Sequence, residues 1–298
     1  IAFSEADPCL NFYRFDSGGA LCYRRRVRLP YGGSIHDFGL SPRYAVFYVS
    51  PYVLDMAAVA RGGASLLEAL HWQPERGSTL LVVARESGEQ VAALPVGRGY
   101  CLHFINCFED GDRLTVDLLR WERPVYDQYQ PVPDLFGDIG DARPVRFFID
   151  TRVRDVVHAA EIDYGQAPDF PSIDPRQAGR PYDTFWMLGI STAGRRGRKF
   201  FDQLARADWG DGAPRDVYQA ARGRYLAGEP VFIPDPDTAK GGAVMCQLFD
   251  AERHASAFGI FDAFDVARGP VAQLRVPGPV HAGFHAAFYP APRSAAPE

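Results

Sequence analysis

Asp110-Gly111-Asp112-Arg113-Leu114-Thr115-Val116-Asp117-Leu118 puts a turn and a strand into one short run. A glycine between two aspartates suits a tight hairpin, because it reaches positive φ without a Cβ clash and its neighbours' carboxylates can cap nearby amides. Beyond it, Leu114, Val116 and Leu118 alternate with Thr115 and Asp117. That period of two predicts a strand with one face in a core. Strand, polar turn and strand recur at Leu10 to Phe15 with Ala20 to Val27, Leu80 to Arg85 with Gln90 to Val96, Leu204 to Trp209 with Asp216 to Ala220, and Val244 to Phe249 with Ala255 to Asp262. Their turns are Asp16-Ser17-Gly18-Gly19, Glu86-Ser87-Gly88-Glu89, Gly210-Asp211-Gly212 and Asp250-Ala251-Glu252-Arg253. Repeated hairpins of this kind predict an all-β chain, either a propeller or a sandwich.

Residues 54–72 read differently. Leu54, Val59, Leu66, Leu67 and Leu70 lie among small residues at helical spacing, broken by Gly62-Gly63, which predicts a helical insertion within a single domain over 1–298. The 24 prolines, concentrated around Tyr129 to Pro144 and Pro168 to Pro181, suit long ordered loops better than helical bundles.

The chain has 298 residues, 47% of them hydrophobic, enough for a large core in one or two domains. Its net charge of -5 supplies no basic field for phosphates, and the basic run Arg195-Arg196-Gly197-Arg198-Lys199 is short, so nucleic acid is not an expected partner. Five scattered cysteines without a close Cys-x-x-Cys pair argue against a disulfide framework or a zinc ribbon and fit a reducing cytoplasm. No apolar run approaches the ~20 residues that span a bilayer. Gly-x-Ser-x-Gly, Walker and dinucleotide-binding patterns are missing, which removes the usual sequence support for acyl transfer, nucleotide hydrolysis and dinucleotide binding.

Three histidines stand in apolar or aromatic settings on separate stretches: Ser34-Ile35-His36-Asp37-Phe38-Gly39-Leu40, Cys101-Leu102-His103-Phe104-Ile105-Asn106 and Gly283-Phe284-His285-Ala286. Singly, each reads as a satisfied core histidine. Jointly they predict a metal site built from distant strands, since a neutral imidazole on a dry wall is a good ligand for a borderline transition metal. His281 and His285 stand four apart, but Pro277, Pro279, Gly283 and Pro290 break the stretch and no glutamate partner follows, so a helical zinc pair is not expected. His71 beside a helix end, His158 in a strand and His254 at a hairpin corner read as surface or capping residues.

These blocks resemble the carotenoid cleavage oxygenases. The likeness runs from Ser34 to Tyr44, through Leu102 to Glu109, Asp169-Phe170-Pro171 with Gly179-Arg180-Pro181-Tyr182, and Gly228-Glu229-Pro230-Val231-Phe232, to Gly283-Phe284-His285, five blocks in order. The resemblance implies a seven-bladed β-propeller, with N-terminal blades missing from this chain, under a dome of loops and helices that encloses an apolar tunnel. It implies Fe(II) held by four histidines, of which His36, His103 and His285 are three and the fourth lies upstream of Ile1. Glu229 and Asp169, the latter one methylene shorter than the family's glutamate, are implied as carboxylates behind the ligand imidazoles. Phe38, Phe104, Phe108 and Phe284 are candidate tunnel residues, and residues 54–72 fall where the family borders its tunnel mouth and touches a membrane peripherally.

The activity implied is a dioxygenase that cleaves a conjugated C=C bond of a carotenoid or apocarotenoid with O2, giving two carbonyl products. The alternatives are a stilbene-cleaving oxygenase of the same family and a non-catalytic propeller that binds an apolar ligand. The 298 residues alone are expected to be inactive.

Overall fold

The computed structural model describes residues 8–125, 134–238, 241–278 and 280–289. Of the proline-rich stretch around Tyr129 to Pro144, the part up to residue 133 therefore lies outside the described residues. The described chain is built of β-strands, with one short α-helix and a few single 3-10 turns.

A hairpin of β1 (Cys9–Phe15) and β2 (Leu21–Arg28) comes first, and four four-stranded antiparallel sheets follow. The first sheet is β3 (Gly39–Leu40), β4 (Tyr44–Val49), β7 (Thr79–Ala84) and β8 (Gln90–Pro95), with the small pair β5 (Tyr52–Leu54) and β6 (Leu70–Trp72) inserted between β4 and β7. The second is β9 (Tyr100–Asp110), β10 (Arg113–Trp121), β11 (Ala142–Asp150) and β12 (Asp155–Glu161). The third is β13 (Asp169–Ser172), β14 (Thr184–Gly189), β15 (Gln203–Asp208) and β16 (Pro214–Gln219). The fourth is β17 (Arg224–Pro234), β18 (Gly242–Asp250), β19 (Ala255–Asp262) and β20 (Pro270–Arg275). All five expected hairpins form: the four with expected bounds for both strands match them to within two residues, and the strand after Gly111 runs on to Trp121.

Each sheet is a meander in chain order, and its leading strand neighbours the next leading strand: β3 beside β9, β9 beside β13, β13 beside β17. Neighbouring sheets pack face to face. Val46, Tyr48, Leu80 and Val82 meet Leu114, Val116, Leu118 and Phe147 in one core layer, while Ile105, Phe108 and Leu119 meet Phe185, Met187 and Ala205 in the next. Leu226, Val244 and Phe261 pack with Trp186 and Leu204 in a third, and Leu10 and Val27 pack with Phe47 and Val83 in a fourth.

Because sheets are stacked on both sides, β10 has no solvent face, contrary to the half-buried strand expected from its alternation. Thr115 and Asp117 are 1% and 0% exposed. A buried carboxylate is tolerated only when paired. Asp117 accepts Arg146 Nε and Nη2 at 2.8 Å each and Tyr182 Oη at 2.7 Å, and Arg146 lies 4.4 Å from the Trp209 ring centroid.

Residues 54–72 also depart from expectation. Only α1 (Met56–Ala60) is helical, N-capped by Asp55, whose side chain accepts from Ala58 N at 2.9 Å. Gly62 takes a φ of 75°, ending the helix, and Leu54 and Leu70 pair across β5 and β6. His71 therefore sits in a strand. Non-local pairing outweighed the local helical spacing. A basic run as dense as Arg195 to Lys199, Arg24-Arg25-Arg26-Val27-Arg28, lies on β2, where Val27 is its one buried residue. No helix among the described residues is long and apolar enough to cross a membrane.

Candidate metal centre

The leading strands are irregular where they approach one another. Across β9 and β10, Asn106 faces Asp117 but Phe104 faces Leu118, and Cys101 faces Arg120, so β9 carries extra residues on both sides of Phe104. In β13, Asp169 faces Leu188 while Ser172 faces Trp186, and in β17, Ala227 faces Gln247 while Val231 faces Met245. Bulges of this kind bend a strand and re-aim its side chains. Here they fall at His103, at Asp169 and Phe170, and at Gly228-Glu229-Pro230.

His36 lies on the segment entering β3, His103 on β9 and His285 on the irregular stretch after β20. That stretch is held against the β17 bulge by Gly228 N donating to Gly283 O at 3.0 Å and Glu229 N to Phe284 O at 2.7 Å. Gly228 needs its glycine, with a φ of 71°.

The three imidazoles converge. One ring nitrogen from each lies within 4.8 Å of the others, and the Nε2 atoms of His36 and His285 are 3.4 Å apart. His103 is buried; His36 and His285 are exposed, so the site is closed on one side and open on the other.

Asp169 reaches His103 directly, Oδ1 to Nδ1 at 2.5 Å, in spite of its short side chain. The Phe170 backbone makes this reach possible: it adopts a φ of 51°, a strained conformation for an aromatic residue, and its N–H donates to the same Oδ1 at 2.9 Å. The Phe170 ring then covers the site, 5.2 Å from the His103 ring and 6.0 Å from that of His285. Glu229 Oε2 stands 3.5 Å from His285 Nδ1 and accepts Ala286 N at 3.3 Å.

With Nδ1 of His103 engaged by a carboxylate, its Nε2 carries the free lone pair. This Nε2 is buried and has no hydrogen-bond partner among the described residues. An orphaned buried acceptor amid two further imidazole nitrogens is what a metal ion would satisfy, so the donor set fits a divalent transition metal. Burial draws the His103 pKa down, but the Asp169 charge and hydrogen bond, with Asp37 and Glu229, outweigh it and leave the value raised. Partial desolvation and the neighbouring His103 and His285 lower the His36 pKa. No cysteine joins the cluster; burial pushes the Cys101 and Cys107 thiols well up and Cys246 to about 12, leaving them protonated.

The remaining histidines lie elsewhere. His158 stacks on Phe148, His254 sits at a turn against Phe249, and His281 lines an apolar cavity. The four phenylalanines expected along a tunnel stand in different settings. Phe38 and Phe104 line a common cavity of about 390 Å³ with Asp37 and Glu229, Phe108 is core against Tyr182, and Phe284 is exposed. Two residues near the site had no assigned role in the sequence: Asp37, and Asn106, whose buried side chain donates to Gln177 O and Arg180 O and accepts Gly179 N. Both stand inside blocks that the resemblance quotes, which was the signal available.

A family model described as retinal pigment epithelial membrane protein matches residues 1–290. The apocarotenoid-15,15'-oxygenase of Synechocystis is 26% identical over 295 residues, covering 93% of this chain and 57% of that protein. Lignostilbene-alpha,beta-dioxygenase isozyme III of Sphingomonas paucimobilis is 23% identical over 293 residues, covering 92% and 58%. The crystal structure of cobalt-substituted Synechocystis apocarotenoid oxygenase superposes with a TM-score of 0.80 at 23% identity, over 95% of this chain and 58% of that one. The chain thus spans less than two thirds of these relatives' lengths.

Proposed function

The chain belongs to the retinal pigment epithelial membrane protein family, and from that premise we propose that it forms the metal-binding part of a non-haem Fe(II) dioxygenase that cleaves a conjugated C=C bond in an apolar substrate. The carrying observation is the buried, unpartnered His103 Nε2 facing His36 and His285. A seven-bladed propeller and a fourth imidazole upstream of Ile1 complete the reading.

The reaction balances without an added reductant: one C=C bond breaks, two C=O bonds form, and both oxygens come from O2. Bound Fe(II) would supply the redox chemistry that activates O2. The chain's own residues do the rest. Asp169 holds the Nδ1 proton of His103, fixing the tautomer that presents Nε2 inward, and Glu229 plays the same part more loosely for His285. Their charges offset that of a cation held by neutral rings. Phe170 covers one side of the site and would keep water from it.

An apolar substrate suits the cavity of about 600 Å³ that Val280, His281 and Ala282, just before His285, line together with Phe200, Tyr225 and Phe249. Arg198, Lys199 and His254 also line it, and the similarity to an apocarotenoid oxygenase favours a polyene such as an apocarotenoid. A stilbene is the second reading, favoured by the similarity to a lignostilbene dioxygenase.

The test is to express the protein with iron and zinc both supplied, measure the metal retained, and identify products from an apocarotenoid and a hydroxystilbene under O2. Retained iron and a pair of carbonyl products are expected. Stoichiometric zinc without iron in active protein would overturn the assignment of the metal, and turnover of the stilbene alone would replace the polyene as substrate.

A further inference from the structure

Asp37 follows His36 directly, and its two carboxylate oxygens are used separately. Oδ1 accepts Phe38 N at 2.7 Å, a local contact, whereas Oδ2 accepts Phe104 N at 2.7 Å, from the residue after His103. One side chain therefore joins the backbone beside one imidazole to the backbone beside another, across 67 positions of sequence. The Phe104 amide sits at the point where β9 carries extra residues on both sides. A bulge takes an N–H out of its ladder, and a partly buried N–H then needs another acceptor. Asp37 supplies it as a charge-assisted bond, stronger than a neutral one.

We propose that Asp37 is a positioning residue for the metal centre, setting the separation of His36 and His103 through the Phe104 amide without itself binding the ion. The proposal rests on the reading of the three histidines as ligands. A turn-forming aspartate would need only the bond to Phe38; the bond to Phe104 is what ties one strand to the other. The carboxylate is not among the groups whose ligand atoms converge.

Co(II) titration of the full chain tests this, with affinity from calorimetry and site geometry from the visible d–d absorption, in wild type, Asp37→Ala and Asp37→Asn. Asp37→Ala is expected to weaken Co(II) binding by about 10- to 100-fold, the range for residues supporting metal ligands, and to alter the band shape at saturation. Asp37→Asn keeps one acceptor and loses the charge, and is expected to fall between the two. If wild type fails to take up Co(II), the three-histidine reading itself is wrong. If wild type binds and Asp37→Ala matches it within about twofold, with the same spectrum, Asp37 alone is refuted. A lowered melting temperature with unchanged affinity and spectrum also refutes it, since it reports a structural role only. Should the alanine variant not fold, wild-type affinity and spectrum in Asp37→Asn decide against the proposal.

Discussion

The second and third strands of each sheet pair without interruption, whereas the first and second slip against each other in three of the four sheets. β4 with β7, β10 with β11, β14 with β15, and β18 with β19 run in unbroken register. β9, β13 and β17 all slip against their partners, and β3 is only two residues long. The slips coincide with His103, Asp169 and Glu229. Regular ladders between stacked sheets carry the stability of this molecule, and the irregular strands beside them spend some of that stability to aim imidazoles and carboxylates at one point. Substitutions in the two regions should then fail in different ways.

The largest effect is expected in the regular region. Asp117→Asn leaves the Arg146 guanidinium, 11% exposed, without its carboxylate, and breaking a buried pair from one side costs about 3–5 kcal/mol. Denaturant unfolding should show that loss, while metal affinity of the folded fraction stays at the wild-type value. A loss of metal with unchanged stability would erase the distinction between the two regions.

His103→Ala should act on the metal as well as on stability. It removes the buried ligand nitrogen and leaves Asp169 as an unpaired buried carboxylate, so the protein is expected to lose most of its metal, measured by elemental analysis. Unchanged metal content would show that the histidines converge for packing alone.

The regular region was the legible one. Alternation along Leu114, Val116 and Leu118 is set by the pleat, and the turns at Gly18-Gly19 and Gly111 by positive φ, so local sequence sufficed. Burial of the polar face was not legible, because Tyr182, which answers Asp117, stands 65 residues away. The bulges were hidden for a similar reason: Ile105 and Phe170 are ordinary strand residues by type, and only the partner strand shows that one is surplus and the other twisted to a φ of 51°. At 54–72 leucine spacing pointed to a helix, yet the contact that decided the structure, Tyr52 with Trp72, is non-local. The histidines were found through their blocks, not their spacing. The placement of Phe38, Phe104, Phe108 and Phe284 was not legible, because an aromatic residue's type says nothing about which side of a strand it occupies.

Within the irregular region, the two carboxylates offer a finer contrast. Asp169 and His103 have side chains 5% and 7% exposed and meet at 2.5 Å. Low local dielectric strengthens such a bond, so Asp169→Asn should lower metal affinity by about 100-fold, the upper end of what supporting residues contribute. An isosteric amide keeps an acceptor for Phe170 N, so Phe170 should hold its place and unfolding should move little. A metal affinity equal to wild type would mean that the imidazole keeps its tautomer and orientation without the charge.

Glu229→Gln is expected to have the smallest effect, about 10-fold in metal affinity, at the lower end of the same range. The His285 and Glu229 side chains are 53% and 28% exposed and stand 3.5 Å apart, beyond good hydrogen-bond distance, so water screens what charge assistance there is. Glutamine retains an oxygen for Ala286 N, and the backbone bonds from Gly228 and Glu229 to Gly283 and Phe284 do not involve the side chain. The segment bearing His285 should therefore stay in place, and the loss should report the carboxylate charge alone. Raising ionic strength should narrow the gap between this variant and wild type while leaving the Asp169→Asn gap nearly as wide, because the buried pair is shielded from salt. Equal salt sensitivity of the two gaps would show that burial does not distinguish the carboxylates, and the gradient from the closed to the open side of the site would have to be abandoned.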